Sequence, residues 1–418
     1  MKTFGLLGKH LSHSFSPIVH AAFGDPDYRT FETVDPIAFL EYEEFDGLNV
    51  TIPYKETVRA AMDVLDDVSA RTGAINTIVR RNGKLYGYNT DYDGIAATFA
   101  RYGGDPRGKT AAVIGNGGAA KTVIQYLKDG GAAQIDVFCR TPRAPGDLPL
   151  DEAGGSYAIL VNATPIGMHP DDDGTPIDIA RFPNLEFVFD FVYNPLRTNL
   201  VLAAIDRGIP AASGLYMLVM QARRARELFT DTLIPDTLAE SVYRDLAVQQ
   251  ANVVLIGMPL SGKSMYATRL ASGFEKTVFD TDAAIESCEG VAISDIFALR
   301  GEPAFRALEE TIVEELAATR GIIVSTGGGM IKNPTAMQRL RHNGVVVFLD
   351  KDYRKIMAAD IRNRPLIQSP ADVERLALER RPIYERYADV KVEITGRQEE
   401  TTKEIEAKIH AYFDRQRP

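Results

Sequence analysis

The chain has 418 residues, of which 45% are hydrophobic and 25% charged, as is ordinary for a soluble globular protein. Its formal net charge of -10 argues against non-specific binding to nucleic acid or to an anionic membrane. The only two cysteines, Cys139 and Cys288, lie far apart and lack CxxC spacing, which argues against a disulfide framework and a zinc site.

The first residues, MKTFGLLGKHLSHSFSP, lack the basic start and long apolar core of a secretory signal. No run approaches the roughly 18 apolar residues that are needed to span a bilayer. We therefore expect a cytoplasmic protein with no nucleic-acid or membrane partner, and the sequence gives no sign of an obligate protein partner.

Short apolar runs, such as FGLLG, TAAVIG, NVVLIG and GVVVFL, alternate with amphipathic stretches along the whole chain. This alternation predicts an α/β architecture with mostly parallel sheets. Glycine-rich strand-to-helix junctions at 111–127 and 252–271 each resemble the start of a nucleotide-binding unit. We therefore predict three domains. The first is an α/β substrate domain at 1–97 with a returning helix at 217–245, and the second is a Rossmann-like NADP domain at 98–216. A linker near Ala247–Asn252 leads to the third, a P-loop NTPase-type domain with a parallel sheet at 252–418.

Polar residues cluster in strand-like and turn contexts of the first domain. A polyhydroxy acid would need such a mixture, with hydroxyls and amides for its OH groups and a lysine near its oxygens. A lysine beside an aspartate can also move a proton when hydride reaches a ketone. Taken singly, each residue could equally be a cap or a turn residue. The cluster comprises Ser14, Ser16, Thr51, Lys55, Asn76, Asn89, Thr90 and Asp91.

The sequence GNGGAA at 115–120 follows a predicted strand and precedes a predicted helix. Its glycines permit a tight turn and a close approach of a pyrophosphate to the helix N-terminus. At the end of the next strand stand Arg140, Thr141 and Arg143, where NAD sites tend to carry an acidic residue. Positive charge suits a 2′-phosphate, which favours NADP, although an ordinary basic loop would look the same. Residues 142–156 are rich in proline and glycine and make a poor helix, so we expect a domain trimmed on this side.

The sequence GMPLSGKS at 257–264 fits GxxxxGK[ST] between an apolar strand and a helix, which predicts a P-loop that binds ATP with Mg²⁺. Backbone N–H groups would surround the phosphates, Lys263 would supply a charge to them, and the Ser264 hydroxyl would ligate Mg²⁺. The predicted nucleotide contacts are Gly257, Ser261, Gly262, Lys263, Ser264 and Met265.

Two later segments place charged residues where a phosphate acceptor could bind. TVFDTDAAIE carries Asp280 and Asp282 after an apolar run, and this pair could hold Mg²⁺ or a substrate hydroxyl, or form a polar loop end. GEPAFRALEE places Arg306 and Glu309 on one helical face, where a surface ion pair is the alternative.

The segment IIVSTGGG puts Gly327, Gly328 and Gly329 after a strand, where bare backbone can approach a ligand closely. RNRPLI carries Arg362 and Arg364 in a predicted lid, which would exclude water and steady the transferring phosphoryl group.

Across about 1–245 the chain resembles the shikimate dehydrogenase family, through the motifs HS.SP..H, NVT.P.K, GA.NT, NTD..G, GxGGA.K, NAT..GM, Y.P..T and G..ML..Q. The resemblance implies NADPH-dependent reduction of 3-dehydroshikimate to shikimate, with Lys55 and Asp91 as the catalytic pair. It implies substrate contacts from Ser14, Ser16, Thr51, Asn76, Asp91 and Gln221. It implies cofactor contacts from Gly115, Gly117, Gly118, Ala119, Arg140, Thr141, Gly214 and Met217.

Nearly all of 252–418 resembles shikimate kinase, with the P-loop, DxD, GE..FR..E, GGG, RPL and R.P.Y in the same order. This resemblance implies phosphorylation of shikimate by ATP, the following step in aromatic amino acid biosynthesis. Lys263 and Asp282 would be catalytic, Ser264 and Asp280 would hold the metal, and Arg364 would contact the phosphates. The implied shikimate contacts are Asp282, Arg306, Gly328, Gly329 and Arg380.

Two departures from the family patterns concern nucleotide binding. Cys139 stands where the dehydrogenases commonly have asparagine, and Leu260 stands where the kinase P-loop usually has glycine. Two other interpretations remain: an NAD-dependent quinate or shikimate dehydrogenase fused to the kinase, or one half acting as a non-catalytic ligand sensor. The small Ser14 and the basic Arg140 favour an NADP-dependent dehydrogenase. The presence of both Lys55 with Asp91 and Lys263 with Asp282 argues against a non-catalytic sensor.

Overall fold

The computed structural model describes residues 2–11, 14–316, 319–357 and 369–414. The chain divides into two compact units, Met1–Leu246 and Ala247–Gln416. None of the described helices is both long enough and apolar enough to cross a bilayer.

The N-terminal unit begins with a mixed sheet and its helices. These elements are β1 (Phe4–Gly8), α1 (Ser16–Ala22), β2 (Arg29–Glu32), α2 (Pro36–Tyr42), β3 (Gly47–Val50), a 3₁₀ helix (Thr57–Ala61), β4 (Val64–Leu65), α3 (Asp67–Thr72), β5 (Thr77–Arg81), β6 (Lys84–Tyr88) and α4 (Asp91–Tyr102). The strand order is β2-β1-β3-β5-β6-β4, with β5 antiparallel to both of its neighbours. The ends of β1, β3 and β6 and the start of β5 therefore meet at one edge.

The second half of this unit is a six-stranded parallel sheet with order β12-β11-β10-β7-β8-β9. Its elements are β7 (Thr110–Ile114), α5 (Gly118–Asp129), β8 (Gln134–Cys139), β9 (Asp147–Pro149), 3₁₀ helices (Leu150–Glu152 and Ile179–Arg181), β10 (Ile159–Asn162), β11 (Phe187–Asp190), α6 (Asn199–Asp206) and β12 (Ala211–Ala212). The Pro- and Gly-rich stretch between β8 and β10 contains no α-helix; the short β9 and a 3₁₀ turn replace it.

Two helices follow β12, α7 (Gly214–Thr230) and α8 (Asp236–Gln250), where the sequence suggests one returning helix at 217–245. The helix breaks because Asp231 adopts a left-handed conformation with φ 53°. The boundary between the two units falls after Leu246, beside the linker predicted near Ala247–Asn252, although α8 continues through it to Gln250. Helix α7 packs on α4, α1 and β5, so it covers the first sheet.

The C-terminal unit is built on a five-stranded sheet in which every pairing is parallel. Its elements are β13 (Asn252–Ile256), α9 (Lys263–Phe274), β14 (Thr277–Asp280), α10 (Thr281–Glu289), α11 (Ile293–Leu316), β15 (Ile322–Ser325), a 3₁₀ helix (Met330–Lys332), α12 (Pro334–Asn343), β16 (Gly344–Asp350), α13 (Tyr353–Met357), α14 (Pro370–Tyr387), β17 (Val390–Glu393) and α15 (Gln398–Asp414). The order β14-β15-β13-β16-β17 places the strand that leads into the P-loop at the centre, which confirms the predicted P-loop NTPase-type fold.

Candidate active sites

A lysine–aspartate ion pair lies at the edge of the first sheet. The Lys55 Nζ is 2.6 Å from the Asp91 Oδ2, and the two side chains are only 19% and 7% exposed. Asp91 is the first residue of α4, so the helix N-terminus also stabilises its carboxylate. The pair therefore combines a proton donor with a fixed negative charge that holds it in place.

An amide network orients this carboxylate. The Asn76 Nδ2 donates to Asp91 Oδ1 at 2.9 Å and to Gln221 Oε1 at 3.3 Å, and the Asn76 Oδ1 accepts from the Thr90 N–H at 2.7 Å. Gln221 reaches the network because α7 packs closely on α4 at Gly94. A Cβ on Gly94 would lie 2.6 Å from the Met217 carbonyl oxygen, so only glycine fits there.

Ser14, Ser16 and Thr51 lie at the same edge of the sheet, after β1 and β3. The Ser14 Oγ donates to the Ser16 Oγ at 3.2 Å. Within the described part of the chain, none of these three side chains hydrogen-bonds to the Lys55–Asp91 pair. The structure thus brings together Lys55, Asp91, Asn76 and Gln221 directly, and places the hydroxyl residues nearby on the sheet edge.

The glycine-rich turn after β7 lies beside the lysine. A Cβ on Gly118, the first residue of α5, would be 3.6 Å from the Lys55 Cβ. Gly115 has φ 106°, and its Cβ would lie 2.8 Å from Thr164, so the turn excludes larger residues. Gly214 is equally constrained, since its Cβ would clash with the Phe191 carbonyl oxygen. A nucleotide on this turn would therefore reach Lys55.

The basic loop after β8 is organised by two residues that the sequence did not single out. The Asn116 Nδ2 donates to the Asp147 Oδ2 at 2.9 Å and to the Thr141 carbonyl at 3.0 Å. The same Asp147 oxygen accepts from the Arg143 N–H at 2.8 Å. These hydrogen bonds hold the pKa of Asp147 below its usual range. Arg140 and Arg143 are exposed, and neither forms an ion pair among the residues that the structure describes.

In the C-terminal unit, the loop from Gly257 to Gly262 connects β13 with α9. The Lys263 Nζ donates to the carbonyls of Gly257 and Met258, both at 3.0 Å. Gly262 has φ 97°, a left-handed conformation that glycine adopts readily. The Ser261 side chain is buried, and its Oγ has no hydrogen-bond partner in the described residues. Met265 follows on the first turn of α9.

The proposed metal ligands are adjacent. The Ser264 Oγ donates to the Asp280 Oδ2 at 2.8 Å and lies 3.2 Å from the Ser325 Oγ. Within the described ranges, no group of three or more His, Cys, Asp and Glu residues could hold a metal. One carboxylate and one hydroxyl fit Mg²⁺, which takes oxygen ligands and retains water and nucleotide phosphates as the others.

The three glycines after β15 form one wall of a polar pocket. A Cβ on Gly327 would lie 2.5 Å from the Asp282 Oδ1, and one on Gly329 would lie 2.5 Å from the Arg306 Nη2. A Cβ on Gly328 would lie 2.8 Å from Pro259 in the P-loop. The glycine segment therefore links the phosphate loop to the predicted acceptor residues.

Arg380 closes this pocket from α14. Its side chain is 1% exposed, and its Nη1 donates to the Gly328 carbonyl at 2.9 Å. Its Nε and Nη2 have no partner among the described residues. Because buried guanidinium donors are costly to leave unpaired, these two donors indicate an anionic ligand.

Arg306 lies between two carboxylates, Glu302 at 2.7 Å and Glu309 at 2.6 Å. Helix α11 breaks at Gly301, which has φ 77°, so Glu302 and Arg306 stand on the first turns of a new helical segment. Burial raises the pKa of Glu309 to about 7, although the Arg306 charge opposes this shift.

The raised pKa of Glu309 predicts a pH-dependent stability. The free energy of unfolding that protonated Glu309 contributes is fully present below pH 4.5, the pKa of this side chain in the unfolded chain. It is lost as the pH rises through about 7, the pKa in the folded chain. A Glu309→Gln variant should therefore gain stability relative to the unmodified chain between pH 5 and pH 8, by up to about 3 kcal/mol. Calorimetry across this range measures the difference, and added ATP identifies the transition of the second unit. The exposed Glu310→Gln variant is the control; an identical profile for Glu309→Gln would contradict the assignment.

Four side chains contact the candidate sites although the sequence analysis assigned them no individual role. Tyr384, the last residue of the R.P.Y motif, donates to the same Gly328 carbonyl as Arg380, at 2.5 Å. Asn116 and Ser325 lie inside quoted segments, GNGGAA and IIVSTGGG, whereas Asp147 belongs to no motif. Arg362 and Arg364 of the predicted lid lie outside the described residues.

Comparison with known families assigns both units. The family model "Shikimate dehydrogenase substrate binding domain" matches residues 6–78, and the model "Shikimate kinase" matches residues 259–410. The shikimate dehydrogenase (NADP(+)) of Clostridium perfringens strain SM101 is 33% identical over 270 residues, which cover 59% of this chain and 98% of that protein.

Solved structures agree with this assignment. A shikimate dehydrogenase from Peptoclostridium difficile has a TM-score of 0.54 at 33% identity and covers 59% of this chain and 98% of its own. The Thermus thermophilus shikimate 5-dehydrogenase, solved with NADP(H) and shikimate, has a TM-score of 0.53 at 32% identity and covers 58% of this chain and 99% of its own.

Proposed function

We propose that this chain, which belongs to the shikimate dehydrogenase family in its N-terminal part and carries a shikimate kinase domain at its C-terminus, catalyses two consecutive reactions. The first is the reduction of 3-dehydroshikimate to shikimate with NADPH. The second is the phosphorylation of shikimate to shikimate 3-phosphate with ATP and Mg²⁺.

When bound, NADPH would supply the hydride that adds to the carbonyl carbon of the substrate. Lys55 would donate the proton that completes the hydroxyl on the carbonyl oxygen. Asp91 holds Lys55 in place through their ion pair at 2.6 Å. Ser14, Ser16, Thr51, Asn76 and Gln221 would bind the remaining oxygens of the substrate.

The 2′-phosphate of NADPH would bind to Arg140, Thr141 and Arg143. An Arg140→Ala variant should raise the KM for NADPH by about 10–100-fold, because a charge-assisted hydrogen bond is lost. The KM for NADH should change little, since NADH lacks the phosphate. Steady-state kinetics with both cofactors measures this difference, and the exposed Arg107→Ala variant serves as the control. Equal losses with NADH and NADPH would contradict the assignment.

In the second reaction, the P-loop would hold the nucleotide, and the residues around Gly327–Gly329 would hold shikimate. Asp282 would accept a hydrogen bond from the reacting hydroxyl and receive its proton as the oxygen attacks the γ-phosphorus. The bond to the β-phosphate oxygen breaks, and Lys263 stabilises the charge on the transferring group. Arg306 and Arg380 would bind the shikimate carboxylate.

One observation in each unit supports the proposal. The glycine-rich turn at Gly118 lies beside Lys55, and the buried Arg380 beside Gly328 keeps two donors, Nε and Nη2, without a partner among the described residues. A coupled assay tests it directly. Supplied with 3-dehydroshikimate, NADPH, ATP and Mg²⁺, the chain should form shikimate 3-phosphate. Without ATP, the final product should be shikimate. Product that stays at shikimate with ATP present would refute the kinase assignment, and no NADPH consumption would refute the reductase assignment.

A further inference from the structure

A non-glycine residue with left-handed backbone lies inside the nucleotide loop. Leu260 has φ 65°, although L side chains occupy this region about tenfold less readily than right-handed conformations. The position is the one where the kinase P-loop usually carries glycine. Contacts with other parts of the C-terminal unit must therefore hold Leu260 in this conformation.

Two contacts hold it. The Leu260 side chain is partly buried and packs against the hydrophobic core of the C-terminal unit. Its carbonyl oxygen accepts a hydrogen bond from the Lys351 Nζ at 2.9 Å, across 91 residues of sequence. Lys351 directly follows β16, which pairs with β13 in register from Asn252 to Ile256, so a rigid strand carries the lysine to the loop.

Lys351 and Lys263 both donate hydrogen bonds to backbone carbonyls of the nucleotide loop. Lys263 donates to the carbonyls of Gly257 and Met258, and Lys351 donates to the carbonyl of Leu260. Carbonyls directed at ammonium groups leave the N–H groups of the loop to face a phosphate. Within the described residues Lys351 forms no ion pair, and the neighbouring Asp350 pairs with Arg381 at 2.6 Å and with Lys391 at 3.3 Å.

We propose that Lys351 is a positioning residue of the ATP site, which holds Leu260 in its left-handed conformation and so keeps the P-loop in its phosphate-binding shape. The inference rests on the proposed kinase function. It explains how the chain tolerates leucine at this position, since the lysine supplies from outside the loop the restraint that glycine does not require. A lysine acting on the nucleotide by charge alone would not depend on the residue at 260.

The test is a double-mutant cycle in the full chain, with Lys351→Met, Leu260→Gly and the double variant. Titration calorimetry with ATP and Mg²⁺ measures the Kd, and steady-state kinetics measures the KM for ATP and for shikimate. Lys351→Met alone should raise the Kd for ATP about 10-fold, the penalty of a left-handed leucine. In the Leu260→Gly background the same change should raise it less than about 2-fold, because glycine has no such penalty. The KM for shikimate and the dehydrogenase rate should stay unchanged.

A conservative variant separates the hydrogen bond from the charge. Lys351→Arg keeps a donor for the Leu260 carbonyl, so its Kd for ATP should lie within about 3-fold of that of the unmodified chain. This change is smaller than the tenfold loss, equivalent to about 1.4 kcal/mol, that is expected for Lys351→Met. Equal losses from Lys351→Met with leucine and with glycine at 260 would overturn the proposal in favour of a direct charge effect. No loss in either background would overturn it as well. An unmodified chain that fails to bind ATP would refute the proposed kinase function itself, and this inference with it.

Discussion

Replacing Lys55 by methionine should lower the rate of 3-dehydroshikimate reduction by about 10²–10⁴-fold, the range for a positioned general acid. In the proposed reaction the oxygen that gains charge needs a proton, and Lys55 would donate it, since it lies beside both Asp91 and the glycine-rich turn at Gly118. Methionine keeps the length of the side chain but cannot donate. Shikimate phosphorylation by the same molecule should be unchanged, which gives each preparation an internal measure of its active concentration.

Removing Lys55 also leaves the Asp91 carboxylate without its cation at a site where it is 7% exposed. Breaking a buried pair can cost about 3–5 kcal/mol of stability, so loss of folding must be separated from loss of chemistry. The double variant Lys55→Met/Asp91→Asn removes both charges and should recover stability without recovering the rate. Methylamine in solution should partly restore reduction in a Lys55→Ala variant, where the shortened side chain leaves room for an amine that can supply the missing proton.

Lys84→Met is the matched control for this experiment. Lys84 is exposed at the opposite end of β6 in the same sheet, and its replacement should leave reduction unaffected. A Lys55→Met chain that folds and reduces 3-dehydroshikimate at the normal rate would show that another group donates the proton.

Local sequence patterns predicted the elements whose signals lie within a few residues. The P-loop, the DxD segment and the glycine triplet each stand at the end of a strand, and parallel pairing brings these strand ends to one edge of the sheet. Lys55, Asn76 and Asp91 were predicted from their local polar clusters and motifs. The continuation of α8 to Gln250 was not predicted, although no glycine or proline stands between Asp236 and Asn252 to end the helix earlier.

Contacts between distant segments could not be predicted from one sequence. Asp147 organises the basic loop because β9 pairs with β8, and nothing in its own neighbourhood marks it as a cofactor-loop residue. The Lys351–Leu260 contact depends on which strand neighbours β13. The departure at Leu260 was visible in the sequence, but the group that compensates it was not.

Replacing Lys263 by methionine should lower shikimate phosphorylation by at least about 10²-fold, comparable with removing one preorganised group that stabilises a transition state. In the proposed reaction the Lys263 ammonium would supply positive charge to the transferring phosphoryl group, which the loop carbonyls that it contacts cannot do. Lys263→Arg should recover only part of the rate, because a planar guanidinium does not fit the place of a compact ammonium. Radiolabelled phosphate transfer to shikimate measures both variants.

The dehydrogenase activity of Lys263→Met should equal that of the unmodified chain, which separates this loss from misfolding of the whole molecule. Shikimate binding to the kinase unit should also persist, because the proposed carboxylate contacts, Arg306 and Arg380, do not include the P-loop lysine. Titration calorimetry with shikimate should therefore find as many binding sites in Lys263→Met as in the unmodified chain. Lys403→Met, on the exposed face of α15, is the matched control in the same unit. Normal phosphorylation by Lys263→Met would mean that the GMPLSGKS loop is not the ATP site, and a loss of both activities would mean that the lysine acts through folding rather than through phosphate.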